Sequence, residues 1–165
     1  MADKKPLLTY SFIEYISNIN LKDKTLVEFG AGNSSIFFSN RFKYVISYED
    51  NEEYINHLNN LNIPNLFIRS LDFRSIQDKS FESSIKNADY ILVDNDIFKI
   101  SRETIVKNLI GVFNYQNAII LDNSNWNPQA YFYLRRKYKN YKDFGWKNVN
   151  DEETLTSLFW DRLEI

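Results

Sequence analysis

Residues 25–35, TLVEFGAGNSS, decide the fold of this chain. A short apolar run leads into a Gly-x-Gly turn formed by Gly30 and Gly32, and the acid Glu28 stands just before that turn. Glycine lets the backbone turn sharply and approach a ligand where a Cβ atom would clash. The stretch therefore predicts a strand, a tight turn and the start of a helix.

An acidic pair follows at the distance expected for a nucleoside-binding βαβ unit. The second predicted strand, residues 44–48, ends in Glu49 and Asp50, and Glu49 lies 19 residues after Gly30. In such units an acid at about 20 residues accepts hydrogen bonds from ribose hydroxyl groups. Ser35 stands where a dinucleotide fingerprint has its third glycine, and the Gly-Lys-Ser/Thr of a P-loop is missing. The pattern favours a nucleoside without a pyrophosphate, and an ordinary strand–helix turn is the alternative.

The rest of the chain alternates between predicted strands and helices. Five strands that alternate with helices indicate a parallel sheet, and two late strands without a long helix between them can form a hairpin. There is no internal repeat and no linker that would indicate a second domain. The predicted strands are residues 25–29, 44–48, 66–70, 90–93, 118–121, 141–146 and 156–163.

The glycine turn, the acid after the second strand and the order of elements resemble the class I S-adenosylmethionine-dependent methyltransferases, over nearly the whole chain. The resemblance implies one S-adenosylmethionine-binding domain over residues 1–165. Its fold would be a Rossmann-like α/β sandwich, with a seven-stranded, mostly parallel sheet, helices on both faces and a C-terminal antiparallel hairpin. The residues that it places at the cofactor are Glu28, Gly30, Gly32, Ser34, Ser35, Glu49, Asp50, Asp72, Phe73 and Asp94.

The resemblance also gives these positions roles. Glu49 would hold the ribose, and the hydroxyl groups of Ser34 and Ser35 would meet the carboxylate of the cofactor at a helix N-terminus. Asp72 and Phe73 would flank the adenine. Their alternative is a helix cap followed by a core phenylalanine.

Two predicted neighbouring strands end in a second group of polar residues, Asp94 on one and Asp122-Asn123 on the other. Two carboxylates and an amide oxygen suit Mg²⁺, which could lower the pKa of a substrate hydroxyl group. The set resembles metal-dependent, catechol-type O-methyltransferases, which implies a catalytic role for these three residues. That family has a lysine three residues after its first aspartate, where this chain has Ile97, with Lys99 two residues further on. The alternative is that Asp122 and Asn123 cap the loop before the next helix and that Asp94 contacts the cofactor or substrate without a metal.

Residues 122–128, DNSNWNP, resemble a loop of small, uncharacterised methyltransferase-like proteins of bacteria. Those proteins also carry a Thr-Ser dipeptide in a late strand, as this chain does at Thr156 and Ser157. The likeness supports the fold and the cofactor and identifies no substrate. Trp126 in this loop would either line an acceptor pocket or cover the edge of the sheet.

Composition excludes several classes of function. The chain has no cysteine and one histidine, His57, which leaves no basis for thiolate zinc sites, disulfides or a Ser-His-Asp hydrolase. A net charge of −2 gives no general attraction to nucleic acid, and the basic, aromatic residues 135–147 are interpreted as a solvated face. Without a signal peptide or a membrane-spanning run, the chain is expected to be cytoplasmic. Its aromatic content of 16% fits a homo-oligomer.

These patterns predict a methyltransferase that acts on an oxygen or nitrogen atom of a small molecule. One rival is a lyase or hydrolase that consumes the same cofactor and releases methylthioadenosine. The other rival is a non-catalytic module that retains the fold as a binding scaffold. The presence of Glu28, Gly30, Gly32 and Glu49 argues against the scaffold, which has no chemical need for them.

Overall fold

A computed structural model describes residues 5–72, 79–96 and 100–162. The strands are β1 (Thr25–Phe29), β2 (Tyr44–Glu49), β3 (Leu66–Ser70), β4 (Tyr90–Val93), β5 (Ala118–Leu121), β6 (Asn140–Lys147) and β7 (Glu153–Trp160). The helices are α1 (Tyr10–Ser17), α2 (Asn33–Ser39), α3 (Glu52–Asn60), α4 (Lys79–Lys86), α5 (Arg102–Gly111) and α6 (Pro128–Lys137), with a 3-10 turn at Ser124–Trp126. None of the helices in these ranges is long and apolar enough to cross a membrane.

The seven strands form one sheet in the order β3-β2-β1-β4-β5-β7-β6. The first five strands pair in parallel, and β7 runs antiparallel between β5 and β6. The predicted seven-stranded, mostly parallel sheet with a C-terminal antiparallel pair is thereby confirmed. The strand order reverses between β1 and β4, and ligands of open α/β sheets bind at such a reversal, beyond the carboxyl ends of the strands.

Helices cover both faces because the central strands are apolar on both sides. β4 and β5 are buried along their whole length, as expected for parallel strands between two helical layers. On one face α1 and α2 contribute Phe12 and Phe38 to an apolar cluster. On the other face α4 and α5 contribute Phe81 and Ile105 to a second cluster.

The start of α1 is joined to the last two strands by hydrogen bonds that span most of the sequence. The backbone N–H of Thr9 donates to Thr156 Oγ1 at 3.1 Å, and the Thr9 hydroxyl donates to the Phe144 carbonyl at 3.2 Å. The Ser11 hydroxyl donates to the Gly145 carbonyl at 2.7 Å. Because Thr9 is fully buried, these bonds fix the position of α1 on the hairpin.

The last strand begins earlier than the sequence predicts. It is expected at residues 156–163, and the structure has Glu153–Trp160. The reason is a tight turn in which Asn148 Oδ1 accepts hydrogen bonds from the backbone N–H groups of Asn150 and Glu152. This side-chain-to-backbone capping ends β6 and starts β7 within a few residues.

Candidate functional site

A cleft of about 580 Å³ opens at the carboxyl ends of the parallel strands. One side is formed by the glycine turn and the end of β2, and the other by the loops after β4 and β5 and by the β6–β7 turn. The cleft gathers most of the predicted site residues. Those that line it are Gly30, Gly32, Ser34, Glu49, Asp50, Asp94, Asp122 and Asn123.

Four other predicted residues are not among the described residues that line the cleft. Glu28, Ser35 and Asp72 do not line the cleft in the part of the chain that the structure describes. Asp72 follows β3 and is exposed. Phe73 lies outside the described residues, as do Ile97 and Lys99 of the loop after β4.

The two glycines of the turn have different physical roles. Gly30 has a φ of 91°, which side chains disfavour, and its N–H donates to the Tyr48 carbonyl at 2.8 Å. A Cβ atom on Gly30 would lie 2.5 Å from the backbone oxygen of Asp94. A Cβ atom on Gly32 would meet nothing within 4 Å. Gly30 therefore lets the β1 and β4 loops touch, and Gly32 leaves room inside the cleft.

The Glu49 carboxylate is held at the edge of the glycine turn. Its Oε2 accepts a hydrogen bond from the Ala31 N–H at 2.8 Å, and its Oε1 accepts from the N–H groups of Asp50 and Asn51, both at 2.9 Å. Three backbone donors fix the orientation of this carboxyl group, whose oxygen atoms keep lone pairs for further donors. An acceptor with these properties suits a pair of ligand hydroxyl groups.

Glu28 lies beneath the cleft, fully buried under α2. It accepts hydrogen bonds from the hydroxyl groups of Ser34, Ser35 and Ser47, the last two at 2.6 Å. Burial raises the pKa of Glu28 to about 7, although the three hydroxyl donors oppose the shift. The two serine hydroxyl groups expected at a ligand carboxylate are thus turned toward Glu28, which ties α2 to β1 and β2.

This buried acid predicts a pH dependence of stability. The raised pKa keeps Glu28 protonated in the folded state while the unfolded chain ionises, so its stabilisation is present below about pH 4.5 and is lost as the pH rises through about 7. A shift of this size corresponds to roughly 3 kcal/mol. We expect Glu28→Gln to remove that slope, as measured by urea unfolding from pH 4 to 8. Parallel curves for the two proteins would contradict the prediction.

Arg102, at the first turn of α5, lies at the centre of the second predicted group. It is 7% exposed and donates from Nη2 to Asp94 Oδ1 at 3.1 Å. From Nη1 it donates to the Asp122 carbonyl at 2.6 Å and to Asn123 Oδ1 at 3.2 Å. Its Nε donates to the Asn95 carbonyl at 3.1 Å. One guanidinium therefore ties the loops after β4 and β5 together.

The two carboxyl groups beside Arg102 have perturbed pKa values. Burial, and then the charge of Asp94, raise the pKa of Asp122 to about 8, against a hydrogen bond from the Thr156 hydroxyl at 2.7 Å. Burial also raises the pKa of Asp94, and Arg102 opposes that shift. Burial thus disfavours the ionised form of Asp122, and Asp94 is the carboxyl group that pairs with Arg102.

The structure does not support the predicted Mg²⁺ site at Asp94, Asp122 and Asn123. The guanidinium of Arg102 stands among these three residues and already bonds Asp94 Oδ1 and Asn123 Oδ1. The described residues contain no group of three or more His, Cys, Asp or Glu side chains that could hold a metal ion. The Arg102 side chain therefore supplies the positive charge that the sequence analysis assigns to a metal ion.

Sequence reasoning missed Arg102, although a signal was available. Ser101 caps α5 through a hydrogen bond from the Thr104 N–H, which puts Arg102 in the first helical turn. The helix dipole favours acids there and disfavours cations. An arginine at this position needs a compensating acidic partner, and the sequence offers Asp94 eight residues earlier.

Tyr48 and Asn95 are a second pair that the sequence reasoning missed. Both are buried beside a small recess next to the glycine turn, lined also by Gly30, Glu49 and Asp50. The Asn95 amide group donates both of its hydrogens, to the carbonyl groups of Asp96 and Ile100. Asn95 Oδ1 and the Tyr48 hydroxyl have no partner among the described residues. Buried polar atoms are rarely left unpaired, and this recess of about 10 Å³ has room for one water-sized hydrogen-bonding group.

The other end of the cleft is formed by the loop after β5 and the β6–β7 turn. Trp126 lines it and is 56% exposed. Asn148 and Glu152 line the cleft from the β6–β7 turn, and Asn148 Nδ2 donates to Glu152 Oε2 at 2.8 Å. This end is therefore polar, acidic and bounded by one exposed indole ring.

Solved structures share this architecture. Aeropyrum pernix fibrillarin with natively bound S-adenosyl-L-methionine aligns at a TM-score of 0.67 and 11% identity, over 90% of this chain and 72% of that chain. A Streptococcus mutans protein assigned as a methyltransferase, in complex with SAH (S-adenosylhomocysteine), aligns at 0.58 and 12%, over 88% and 93%. A Streptococcus pneumoniae protein assigned as a tRNA (m1A22) methyltransferase, with S-adenosyl-L-methionine, aligns at 0.59 and 10%, over 96% and 76%.

The chain therefore has the class I methyltransferase fold. Phosphoethanolamine N-methyltransferase 1 of Haemonchus contortus also aligns, at a TM-score of 0.49 and 19% identity, over 67% of this chain. This chain spans about a quarter of that enzyme's length, 24%. No family model and no curated protein matches the sequence. The likeness to catechol-type enzymes is not shown by these structures.

Proposed function

We propose that this protein is an S-adenosylmethionine-dependent methyltransferase that acts on an oxygen or nitrogen atom of a small molecule. The observation that carries the proposal is the Glu49 carboxylate, fixed at the edge of an open glycine turn inside the cleft. The fold shared with proteins that bind S-adenosylmethionine or SAH supports it. That cofactor supplies an activated methyl group, so the protein mainly has to hold and orient two reactants.

The residues present fit the cofactor. Glu49 would accept hydrogen bonds from both ribose hydroxyl groups, and the missing Cβ of Gly32 would leave room for the cofactor near the turn. Asn95 Oδ1 would accept a hydrogen bond from the amino group of the purine ring, and the Tyr48 hydroxyl would bond a ring nitrogen. These roles would pair the two buried polar atoms that have no partner in the described structure.

The acceptor would occupy the other end of the cleft. The loops after β4 and β5 form the boundary between the two halves, and Arg102 fixes both loops through Asp94 and Asn123. Arg102 is in this view a positioning residue, because its guanidinium donates to protein oxygen atoms. Asp94 and Asp122 would stand beside the reacting atoms, in keeping with the catalytic role that the sequence predicts.

A nucleic-acid acceptor is the less favoured alternative, even though one structural neighbour is assigned as a tRNA methyltransferase. The basic and aromatic residues 135–147 would have to stack bases with their rings. The guanidinium of Arg135 already lies 3.2 Å from the centre of the Tyr141 ring. The ammonium group of Lys142 lies over the Tyr15 and Phe144 rings, at 4.9 and 5.1 Å. One face of the Tyr141 ring is therefore covered by a cation of the same chain, and Phe144 is buried, which leaves Trp146 as the exposed ring of this stretch without a cation over it among the described contacts.

Substitution of Glu49 tests the cofactor site. We expect Glu49→Gln to weaken S-adenosylmethionine binding by about 10- to 100-fold, because an amide is a weaker acceptor for two hydroxyl groups. Isothermal titration calorimetry measures the effect, with Glu53→Gln as a matched control on the exposed face of α3. Equal affinities for the wild-type protein and Glu49→Gln would refute this ribose site.

The reaction class is tested by its product. Incubation with S-adenosylmethionine and a panel of small acceptors, followed by chromatography, is expected to yield SAH. Methylthioadenosine as the main product would instead identify a lyase or hydrolase. Binding without either product, with every acceptor class, would favour the non-catalytic module.

A further inference from the structure

The charges along the cleft restrict the chemistry of the acceptor. Among the described residues, the lining contains six carboxyl groups and one guanidinium, that of Arg102. The carboxyl groups belong to Glu49, Asp50, Asp94, Asp96, Asp122 and Glu152. Asp94 is paired with Arg102 and burial disfavours ionisation of Asp122, so the other four carboxyl groups give the described lining its negative potential.

The single cation of this lining is not free to receive an anionic acceptor. The Arg102 guanidinium donates to four oxygen atoms, three on the loop residues Asp94, Asn95 and Asp122 and one on Asn123. Without displacing these bonds, a phosphate or carboxylate group could reach at most the remaining N–H of Nη2, and it would then face the neighbouring carboxyl groups. The described lining thus disfavours an anion at this end of the cleft.

Two groups at this end favour a cation. Glu152 is exposed at the cleft, and its Oε2 accepts a hydrogen bond from a buried amide, that of Asn148. Trp126 presents an exposed indole ring to the same end, and indole faces attract ammonium groups. A carboxylate and an aromatic ring together select a positive ligand and leave neutral or anionic ligands without a charge partner.

We infer that the methyl acceptor is a small amine, which enters as an ammonium ion and is held at Glu152 and Trp126. This inference rests on the proposed function. The ammonium ion first gives one proton to solvent water in the open cleft. The nitrogen lone pair then forms a bond to the methyl carbon, and the carbon–sulfur bond breaks with its electron pair going to sulfur. The products are a methylated ammonium ion and a neutral thioether.

The test uses ligand probes of matched shape that differ in charge. The probes are 2-phenylethylamine, 2-phenylethanol and phenyl phosphate, titrated into the full chain saturated with SAH. We expect the amine to bind at least about tenfold more tightly than the alcohol, and the phosphate to be the weakest of the three. Glu152→Gln should remove the amine preference, whereas Glu153→Gln, which alters the next residue outside the cleft lining, should keep it.

The outcomes separate this inference from the proposed function. SAH affinity is measured first, in the wild-type protein and in every variant. If the wild-type protein does not bind SAH, the proposed function is overturned. The inference alone would be overturned if SAH binds normally and the amine binds no more tightly than the alcohol. The absence of amine binding at about 10 mM would have the same meaning. An amine preference that survives Glu152→Gln would also overturn it. Turnover of the amine should give N-methyl-2-phenylethylamine, and Glu152→Gln, but not Glu153→Gln, should raise the KM for the amine.

Discussion

Arg102→Met is expected to destabilise the fold by about 3–5 kcal/mol, the largest effect of any single change considered for this protein. The substitution keeps the unbranched apolar stem of the side chain and removes the cation between the loops after β4 and β5. Asp94 then loses its charge partner, and the backbone carbonyl groups of Asn95 and Asp122 lose their donor. Urea unfolding at pH 7 measures the loss of free energy.

Two further variants identify the cause of this loss. Adding Asp94→Asn removes the unpaired charge, so the double variant should recover at least about 1 kcal/mol relative to the sum of the single variants. Lys107→Met serves as a control on the same helix, because Lys107 only forms a surface ion pair with Glu103 at 2.7 Å. That control should change stability by less than about 0.5 kcal/mol. A loss below about 1 kcal/mol in Arg102→Met would show that the cation is not structural.

Gly30→Ala is expected to cost roughly 3 kcal/mol or more, through two independent effects. The backbone φ of 91° is disfavoured for alanine, and the new Cβ would lie 2.5 and 2.8 Å from backbone atoms of Asp94 and Asn95. Backbone atoms cannot rotate away as a side chain can, so β1 and β4 would have to separate. Thermal and urea unfolding measure the loss.

Gly32→Ala provides a matched comparison two residues away. Its new Cβ would meet no atom within 4 Å, so stability should stay within about 0.5 kcal/mol of the wild-type value. The same methyl group would project into the cleft, so S-adenosylmethionine affinity should fall. Similar stability losses at both positions would mean that the two glycines do not divide their roles as proposed.

The fold could be predicted because its signals are local in the sequence. The Gly-x-Gly turn, the acid at Glu49 and the alternation of strands and helices each lie within a short window. Side chains alternate between the two faces of a strand, so Glu28 lies on the opposite face of β1 from Val27 and Phe29. The face that carries Glu28 is the one covered by α2. What the sequence could not supply is that this face is closed by serine hydroxyl groups from α2 and β2.

The second half of the site shows where sequence reasoning fails. The positions Asp94, Asp122 and Asn123 do come together, but the group that fills the space among them is Arg102. Arginine on a helix is usually a surface residue, and its burial here depends on how α5 packs on the sheet. Oxygen ligands suit a metal ion and a guanidinium equally well, so residue types alone could not separate the two.

The hydrogen bonds between α1 and the C-terminal hairpin have a consequence for folding during synthesis. Thr9 and Ser11 are synthesised more than a hundred residues before their partners in β6 and β7, which are Phe144, Gly145 and Thr156. Until then the apolar side of α1, with Phe12, has no hairpin to dock against. Closing so long a loop is slow, so the nascent chain should expose this helix until its last strands emerge.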